Sequence, residues 1–461
     1  MGIVGGGIAG LSAACALADS GFQVTVFERR PFVGGRASSY EHPGTGETVD
    51  NCQHVLLGCC TNLLDFYHRI GVSDKIRWFD TLTFIEPGGR RSEIAPSALP
   101  PPLHTAPSFL KAASLSIRDK LAIGRAMFAL MGPLPPDSSK SFFDWLREHN
   151  QTQRAIDRFW KVVLVSAINE DLERISVRYG AQVFRESFLK SADAGKMGVP
   201  TVPLSDLYAS AIGYIEQRGG RVLLRNSIEA VVPSSEQVLL QGVGLSESFD
   251  YAILGVPYYA LGKLLPAQNG TGALSMTLRQ QLELFESSPI TGIHLWFDRE
   301  ITDLPHAVLL DRTIQWMFQK SKLQPRRQQE NLQGSYIELV VSSSKSLVQM
   351  GRQEIIDLAL RELAEFFPAV KTATLLKATV VKEVHATYSA LPGSDSYRPN
   401  ARSPWPRIFL AGDWTATGWP ATMEGAVRSG HNAAQVVADV ASNPQRFLVE
   451  DLAAKGLMRW L

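Results

Sequence analysis

The sequence predicts an α/β protein: a nucleotide-binding domain that is discontinuous in the chain, with a mixed-sheet domain and a helical insertion between its pieces. Three observations predict it. A strand–glycine turn–helix unit opens the chain, a strand–Gly-Asp–loop–helix unit closes it, and two long segments of different patterning lie between. The chain has 461 residues, 45% hydrophobic and 20% charged, which are globular values. A single core rarely grows past roughly 250–300 residues, so more than one domain is expected. Net charge is +1, without the basic footprint of a nucleic-acid binder.

The opening unit is "MGIVGGGIAGLSAACALADSGFQVTVFERR". An apolar strand, Gly2 to Val4, runs into Gly5-x-Gly7-x-x-Gly10. A helix follows, with Leu11, Ala14, Leu17 and Ala18 at three- and four-residue spacings. "FQVTVF" is a second strand, closed by Glu28, 18 residues after Gly10. The first glycine makes a tight turn, the second admits a pyrophosphate, and the third packs helix on strand. The helix N-terminus faces the phosphates, and Glu28 accepts from a ribose. This is a Rossmann-type dinucleotide site, with Ala9 and Arg29 among its candidate contacts. "FVGGRASSY" follows, bringing Gly34, Gly35 and Arg36, whose planar fork suits a pyrophosphate.

The closing unit is "RIFLAGDWTATGWPATMEGAVRSGHNAA": a strand from Ile408 to Ala411, then Gly412-Asp413, a loop, and a helix from near Thr422. Between the two units, "LYASAIGYIEQRGGRVLLRNSIEAVV" reads as a helix, a Gly219-Gly220 break and strands, and "ESFDYAILGVPYYALGKLLP" as one strand into a Gly-Val-Pro turn. The nucleotide domain is therefore assembled from 1–75, 200–260 and 395–445. Residues 76–199 read as mostly helical with Pro-rich joints. Residues 261–394 read as a sheet ("ITGIHLWFD", "SYIELVVS", "ATVVKEVHATY") with the helix "RQEIIDLALRELAEFF", and 446–461 as an amphipathic tail.

The GGR segment after the ribose acid, with the closing Gly-Asp unit, resembles the FAD-binding signature of the amine oxidase and phytoene desaturase flavoproteins. The resemblance implies an amine oxidase-like, GR2-type Rossmann FAD-binding domain with a mixed-sheet substrate domain. It places Arg36 at the pyrophosphate, Asp413 at the ribityl or pyrophosphate region, backbone near Met423 at the flavin O2 edge, and backbone near Val231 at the adenine. Gln53 and His54 join the expected FAD contacts. Three stretches, "VDNCQHVLLGCCTNLLDFYHRIG", "FWKVVLVSAINEDLERISVRYGAQVFRESFL" and "MGVPTVPLSDLY", resemble more narrowly the squalene-associated FAD-dependent proteins, the hydroxysqualene dehydroxylases. That family usually has glycine where this chain has Cys52. The resemblance implies reduction of hydroxysqualene to squalene: loss of an allylic hydroxyl as water and gain of a hydride from reduced flavin. Such a reaction needs a proton donor, an apolar isoprenoid substrate and an external electron donor. A carotenoid-type desaturase on the same fold differs mainly in hydride direction.

Candidate proton donors are Asp50, His54 and Glu170; each also has a structural reading as a turn cap, a backbone partner or a surface ion pair. Trp414 and Trp419 are read as flavin walls or as core, and His294 as packing. "DNCQHVLLGCC" holds Cys52, Cys59 and Cys60, three of the four cysteines with Cys15. It lacks separated ligand pairs, so no metal is expected, and Cys59 and Cys60 read as small core residues starting a helix. Four cysteines are too few for a disulfide scaffold and fit a reducing, cytoplasmic setting. No secretory leader is expected ahead of a motif that starts at Gly5. No run reaches the ~18 apolar residues of a membrane span. "LHTAPSFLKAASLSIRDKLAIGRAMFALMG" and the tail suit either a core-facing lid or peripheral contact with the cytoplasmic membrane.

Overall fold

The strand Gly2–Val4 lies at the centre of a five-stranded parallel sheet. Its neighbours are Thr25–Glu28 on one side and Ala252–Leu254 on the other, with Ile3 opposite both Val26 and Ile253. Arg221–Leu224 and Ile408–Leu410 form the edges. In this computed structural model, residues 1–265, 272–324 and 334–460 are described. Residues 266–271 and 325–333, within the segment read as the mixed sheet, and Leu461 of the tail lie outside the described residues.

Helices cover one face of this sheet and the antiparallel strands of residues 228–249 pack on the other through Val231, Leu240 and Phe249, so its strands, buried on both sides, read as short continuous apolar runs. The helix Ile8–Asp19 is buried along all but its last residue. It is apolar all round because the sheet takes one face and the helix Met423–Val440 another. Gly10 makes the packing possible: a Cβ there would lie 2.0 Å from the Gly5 carbonyl oxygen. The helix Leu204–Glu216 completes this layer. "ESFDYAIL" is not one strand: Leu245–Phe249 belongs to a three-stranded antiparallel sheet with Ile228–Pro233 and Val238–Gly242, and Ala252–Leu254 to the parallel sheet. The polar turn Asp250–Tyr251 separates them, and the Tyr251 carbonyl accepts from Gly2 N–H.

The second domain is a seven-stranded mixed sheet in the order Leu375–Tyr388, Ser287–Phe297, Ser335–Ser342, Trp316–Gln319, His306–Leu309, Leu82–Ile85, Arg91–Ile94. The helix Arg352–Phe366 packs on it through Ile355, Ala359 and Leu363. The segment 76–199 is thus not helical throughout: Leu82–Ile85 and Arg91–Ile94 extend this sheet, and Ile76–Phe79 pairs with Met197–Pro200. Its helical part runs from Ala106 to Leu189 around the aromatic cluster Phe142, Trp145, Trp160 and Phe184. The tail is strapped across the body by Arg428–Asp451, by Lys455–Asp193, and by Asn62 bonding the Val449 backbone. It ends in the 3-10 turn Gly456–Trp460.

Candidate active site

Four parallel strands end at one cavity of about 730 Å3. Val4-Gly5, Phe27 to Arg30, Gly255 to Pro257 and Gly412 to Trp414 line it from their carboxyl ends. It opens where the strand order reverses, between Gly2–Val4 and Ala252–Leu254, which is where open α/β sheets bind ligands. Two helix N-termini face it: Gly7, Ile8 and Ala9 begin one, and Thr422 and Met423 the other. Gly7 caps its helix without a side chain, leaving N–H groups there for a ligand. Thr422 Oγ1 instead accepts from Gly425 N–H at 3.0 Å.

Arg29, Arg30, Arg36 and Lys263 add positive charge to this wall. Both Glu28 oxygens already accept backbone bonds, Oε2 from Gly6 N–H and Oε1 from Arg30 N–H, each 2.8 Å. The carboxylate is thereby fixed and keeps lone pairs for ribose hydroxyls. Gly35, at φ +63°, brings its backbone against the helix start; a Cβ there would lie 3.0 Å from Gly7 Cα. Arg36 joins the two ends of the chain: it pairs with Asp413 at 2.5 Å and donates to the Ala386 carbonyl at 3.0 Å. Two helix N-termini, that at Gly7 uncapped by any side chain, an arginine fork and a fixed ribose acceptor fit a dinucleotide.

The opposite wall is built from Asn51 to Val55, Ser166, Ala167, Asn169, Ile290, Ala386 and Thr387. Asn169, left-handed at the C-terminus of the helix Lys161–Ile168, donates to the Ser288 carbonyl and to Thr387 Oγ1. Trp414 is buried, lines the cavity and donates to the Val256 carbonyl at 3.0 Å. Arg398, fully buried, donates to the carbonyls of Asp413 and Thr415 and shapes the loop that presents Asp413.

Of the residues expected at the cofactor, Gly5, Gly7, Ala9, Glu28, Arg29, Gly34, Gly35, Arg36, Gln53, His54, Gly412, Asp413 and Met423 line the cavity. Gly10 and Val231 do not. Gly10 packs the helix against the turn, and Val231 is in the core while Asn226 to Glu229, just before it, form the wall.

The three candidate proton donors are dispersed. Glu170 is fully buried but stands off the cavity, held by Lys345 and Arg174 and by its own bond to Asp171 N–H. Asp50 also lies behind the wall. Its Oδ2 accepts from Lys320 Nζ at 2.6 Å, and its Oδ1 from Ser39 Oγ and Leu204 N–H. Burial alone would raise the Asp50 carboxyl, but Lys320 and these donors hold it below the usual value. Lys320 also donates to Gln53 Oε1 at 2.8 Å and pairs with Glu338 at 3.3 Å. Burial and the nearby Asp50 carboxylate raise Glu338 to about 7, against the opposing pull of Lys320.

His54 alone of the three lines the cavity. Its Nδ1 lies 2.9 Å from the Cys52 carbonyl, which can only accept, so Nδ1 carries a proton and Nε2 is left for other chemistry. Burial lowers its pKa from 6.5. Cys52 lines the cavity beside it, its thiol pushed well up by burial, so it is an inert wall residue. Cys59 is buried with Ala194 and Trp419, which stands away from the cavity under Arg428, and Cys60 caps the helix Thr61–Arg69. His294 is buried against Tyr336. Among the described residues, no group of three or more His, Cys, Asp or Glu is arranged to hold a metal.

Sequence reasoning did not reach Lys320 and Glu338. A signal existed: Glu338 interrupts the apolar run "YIELVV", and a charge in a buried strand demands a buried partner.

The profile of the family described as flavin containing amine oxidoreductase matches residues 8–438. The 15-cis-phytoene desaturase of Synechococcus elongatus is 28% identical over 457 residues, covering 94% of this chain and 95% of the relative. A probable zeta-carotene desaturase of the same organism is 25% identical, covering 94% and 98%. An oxidoreductase structure from Methanosarcina mazei superposes with a TM-score of 0.72 at 16% identity, over 93% of this chain and 98% of that one.

Proposed function

The chain belongs to the flavin-containing amine oxidoreductase family, and from that premise we propose that it is an FAD-dependent oxidoreductase that reduces hydroxysqualene to squalene. One observation carries the finer reading. The cavity wall opposite the nucleotide draws on Asn51 to Val55 and on Ser166, Ala167 and Asn169, which lie in two of the three stretches that resemble the squalene-associated proteins.

A bound flavin supplies hydride exchange; the chain supplies binding, water exclusion and a proton. Gly7 to Ala9, Arg36 and Glu28 bind the dinucleotide, and Asp413 and Met423 its other end. Trp414, Ile290 and Ala167 give the cavity apolar surface against which water is weakly held. His54, as imidazolium, gives the departing hydroxyl its proton: the C–O bond breaks, water leaves, and a hydride takes its place at carbon. Low imidazole basicity makes the proton easy to give and restricts the protonated form to acidic pH. An external two-electron donor completes the cycle.

The similarity to phytoene and zeta-carotene desaturases favours a second reading, hydride removal from a carotenoid-type polyene. One anaerobic experiment separates the two. Photoreduced enzyme mixed with hydroxysqualene is followed by flavin absorbance and by squalene mass; oxidised enzyme is mixed with phytoene in parallel. Flavin reoxidation with squalene supports the first reading. Flavin bleaching by phytoene, with no squalene in the other arm, refutes it in favour of the second.

A further inference from the structure

A face of the helical insertion carries large apolar side chains that none of the described residues covers. The helix Ile117–Ala129 buries Ala122, Ile123 and Ala126. On its other side Ile117, Leu121 and Phe128 are 77%, 60% and 75% exposed. Spacings of four and seven residues put these three on one stripe, opposite the buried one. The stripe has neighbours of the same kind. Lys120 Nζ donates to the Leu110 carbonyl at 2.7 Å, which draws the helix Ala106–Lys111 alongside, with Leu110 65% exposed. Leu457 N–H donates to the Pro101 carbonyl at 2.9 Å and sets the terminal turn next to that segment, with Trp460 86% exposed. Isolated exposed apolar residues are ordinary, but a run of five on three adjoining elements is not.

The exposed charge along the two helices has one sign. Lys111, Arg118 and Arg125 are exposed, and Lys120 is half-buried. Between residues 95 and 132 the only acidic residue is Asp119. It is buried in the capping box with Ser116 and bonded by Thr152, so it neutralises nothing outside. Arg118 and Arg125 lie on the flank of the apolar stripe, where their stems can cover apolar surface while the guanidinium groups reach outward. A second copy of the chain docked across a twofold axis would set these cations against their own images. No helix among the described residues is long and apolar enough to cross a membrane.

We propose that this face is a docking surface for an anionic lipid bilayer, with the helix Ile117–Ala129 lying flat in the interface, Leu121, Phe128 and Trp460 in the acyl boundary, and Arg118 and Arg125 at the headgroup phosphates. An amphipathic helix with basic flanks and an aromatic anchor binds in this way. The inference stands on the surface alone and is independent of which isoprenoid the cavity takes.

The test is flotation of the full-length, flavin-loaded protein with vesicles of phosphatidylcholine alone and of phosphatidylcholine and phosphatidylglycerol in equal parts. Wild type should float with the mixed vesicles and do so less at high salt. The double variant L121S/F128S should lose at least about tenfold in partition coefficient, and R118E/R125E should lose the preference for anionic vesicles. Both variants should keep wild-type flavin content and turnover of detergent-dispersed substrate, because neither touches the cavity. Wild type remaining at the bottom with both vesicles overturns the proposal, as does equal flotation of L121S/F128S. Sedimentation showing a dimer that L121S/F128S dissolves would assign the face to a second copy and overturn it too.

Discussion

Replacing Glu338 with glutamine should flatten a specific part of the pH–stability curve. Glu338 is fully buried, and Asp50 takes the closer place on the cation they share: Lys320 Nζ lies 2.6 Å from Asp50 and 3.3 Å from Glu338. Two carboxylates facing one ammonium leave an excess negative charge in the core. That, with desolvation, raises Glu338 from 4.5 to about 7. The folded state therefore holds this proton more tightly than the unfolded chain. The stabilising contribution is fully present below about pH 4.5 and is lost as pH rises through about 7. At 1.36 kcal/mol per unit, the loss is about 3 kcal/mol. The E338Q variant cannot titrate there. Guanidinium unfolding of flavin-loaded wild type and E338Q, across that pH range, isolates this group, since every other titration is common to both. Wild type should lose about 3 kcal/mol relative to E338Q on going from acidic to neutral pH. Parallel profiles, or a relative gain by wild type, would refute the assignment of the excess proton to Glu338.

Other outcomes follow from the same geometry. In H54Q the rate of hydroxyl loss in a single anaerobic turnover should fall by roughly 10²–10⁴; the wild-type rate should decline as pH rises through a value below 6.5, and the variant should show no such limb. G35A should weaken flavin binding about tenfold, because φ +63° costs a residue with a Cβ about 1–2 kcal/mol and the new methyl meets Gly7; flavin content after gel filtration measures it.

The nucleotide side of the site was legible because backbone geometry dictates residue type there. Gly10 admits no side chain, Gly35 needs a left-handed φ, and Glu28 must end its strand; each requirement leaves a mark at a fixed spacing. The opposite wall leaves no such mark. Ser166, Asn169, Ile290 and Thr387 come from three separate elements, and only the packed fold brings them together. Asp50 and Glu170 show the reverse error. An acid beside a cofactor motif reads the same in sequence whether it faces the cavity or an ion pair, and the partners that decide, Lys320 and Lys345, are 270 and 175 residues away. The strands Leu82–Ile85 and Arg91–Ile94 were obscured in the same way, because each has only four residues and the second, at the sheet edge, is half polar, as Arg91, Ser92 and Glu93 show.

What Asp50 does instead bears on catalysis indirectly. It ends the strand Thr48–Asp50 on the nucleotide side, bonded to Ser39 and Leu204, while Glu338 lies in the mixed-sheet strand Ser335–Ser342 and Lys320 directly follows its strand Trp316–Gln319. Through Asp50 and Gln53, Lys320 therefore grips both ends of the turn that carries Asn51 and Cys52 along the cavity. A buried ion triad seldom adds net stability over apolar residues of similar volume, since desolvation offsets the attraction. Its directional bonds do fix register, which greasy contacts do not. The apolar triple variant D50L/K320M/E338L should accordingly melt within a few degrees of wild type, whereas K320M alone, which strands two carboxylates, should lose about 3–5 kcal/mol. In the triple variant His54 is no longer held in register with the sheet, so single-turnover rate should fall at unchanged flavin content. A triple variant with wild-type turnover would show that the triad does not position the cavity wall, whatever its effect on melting.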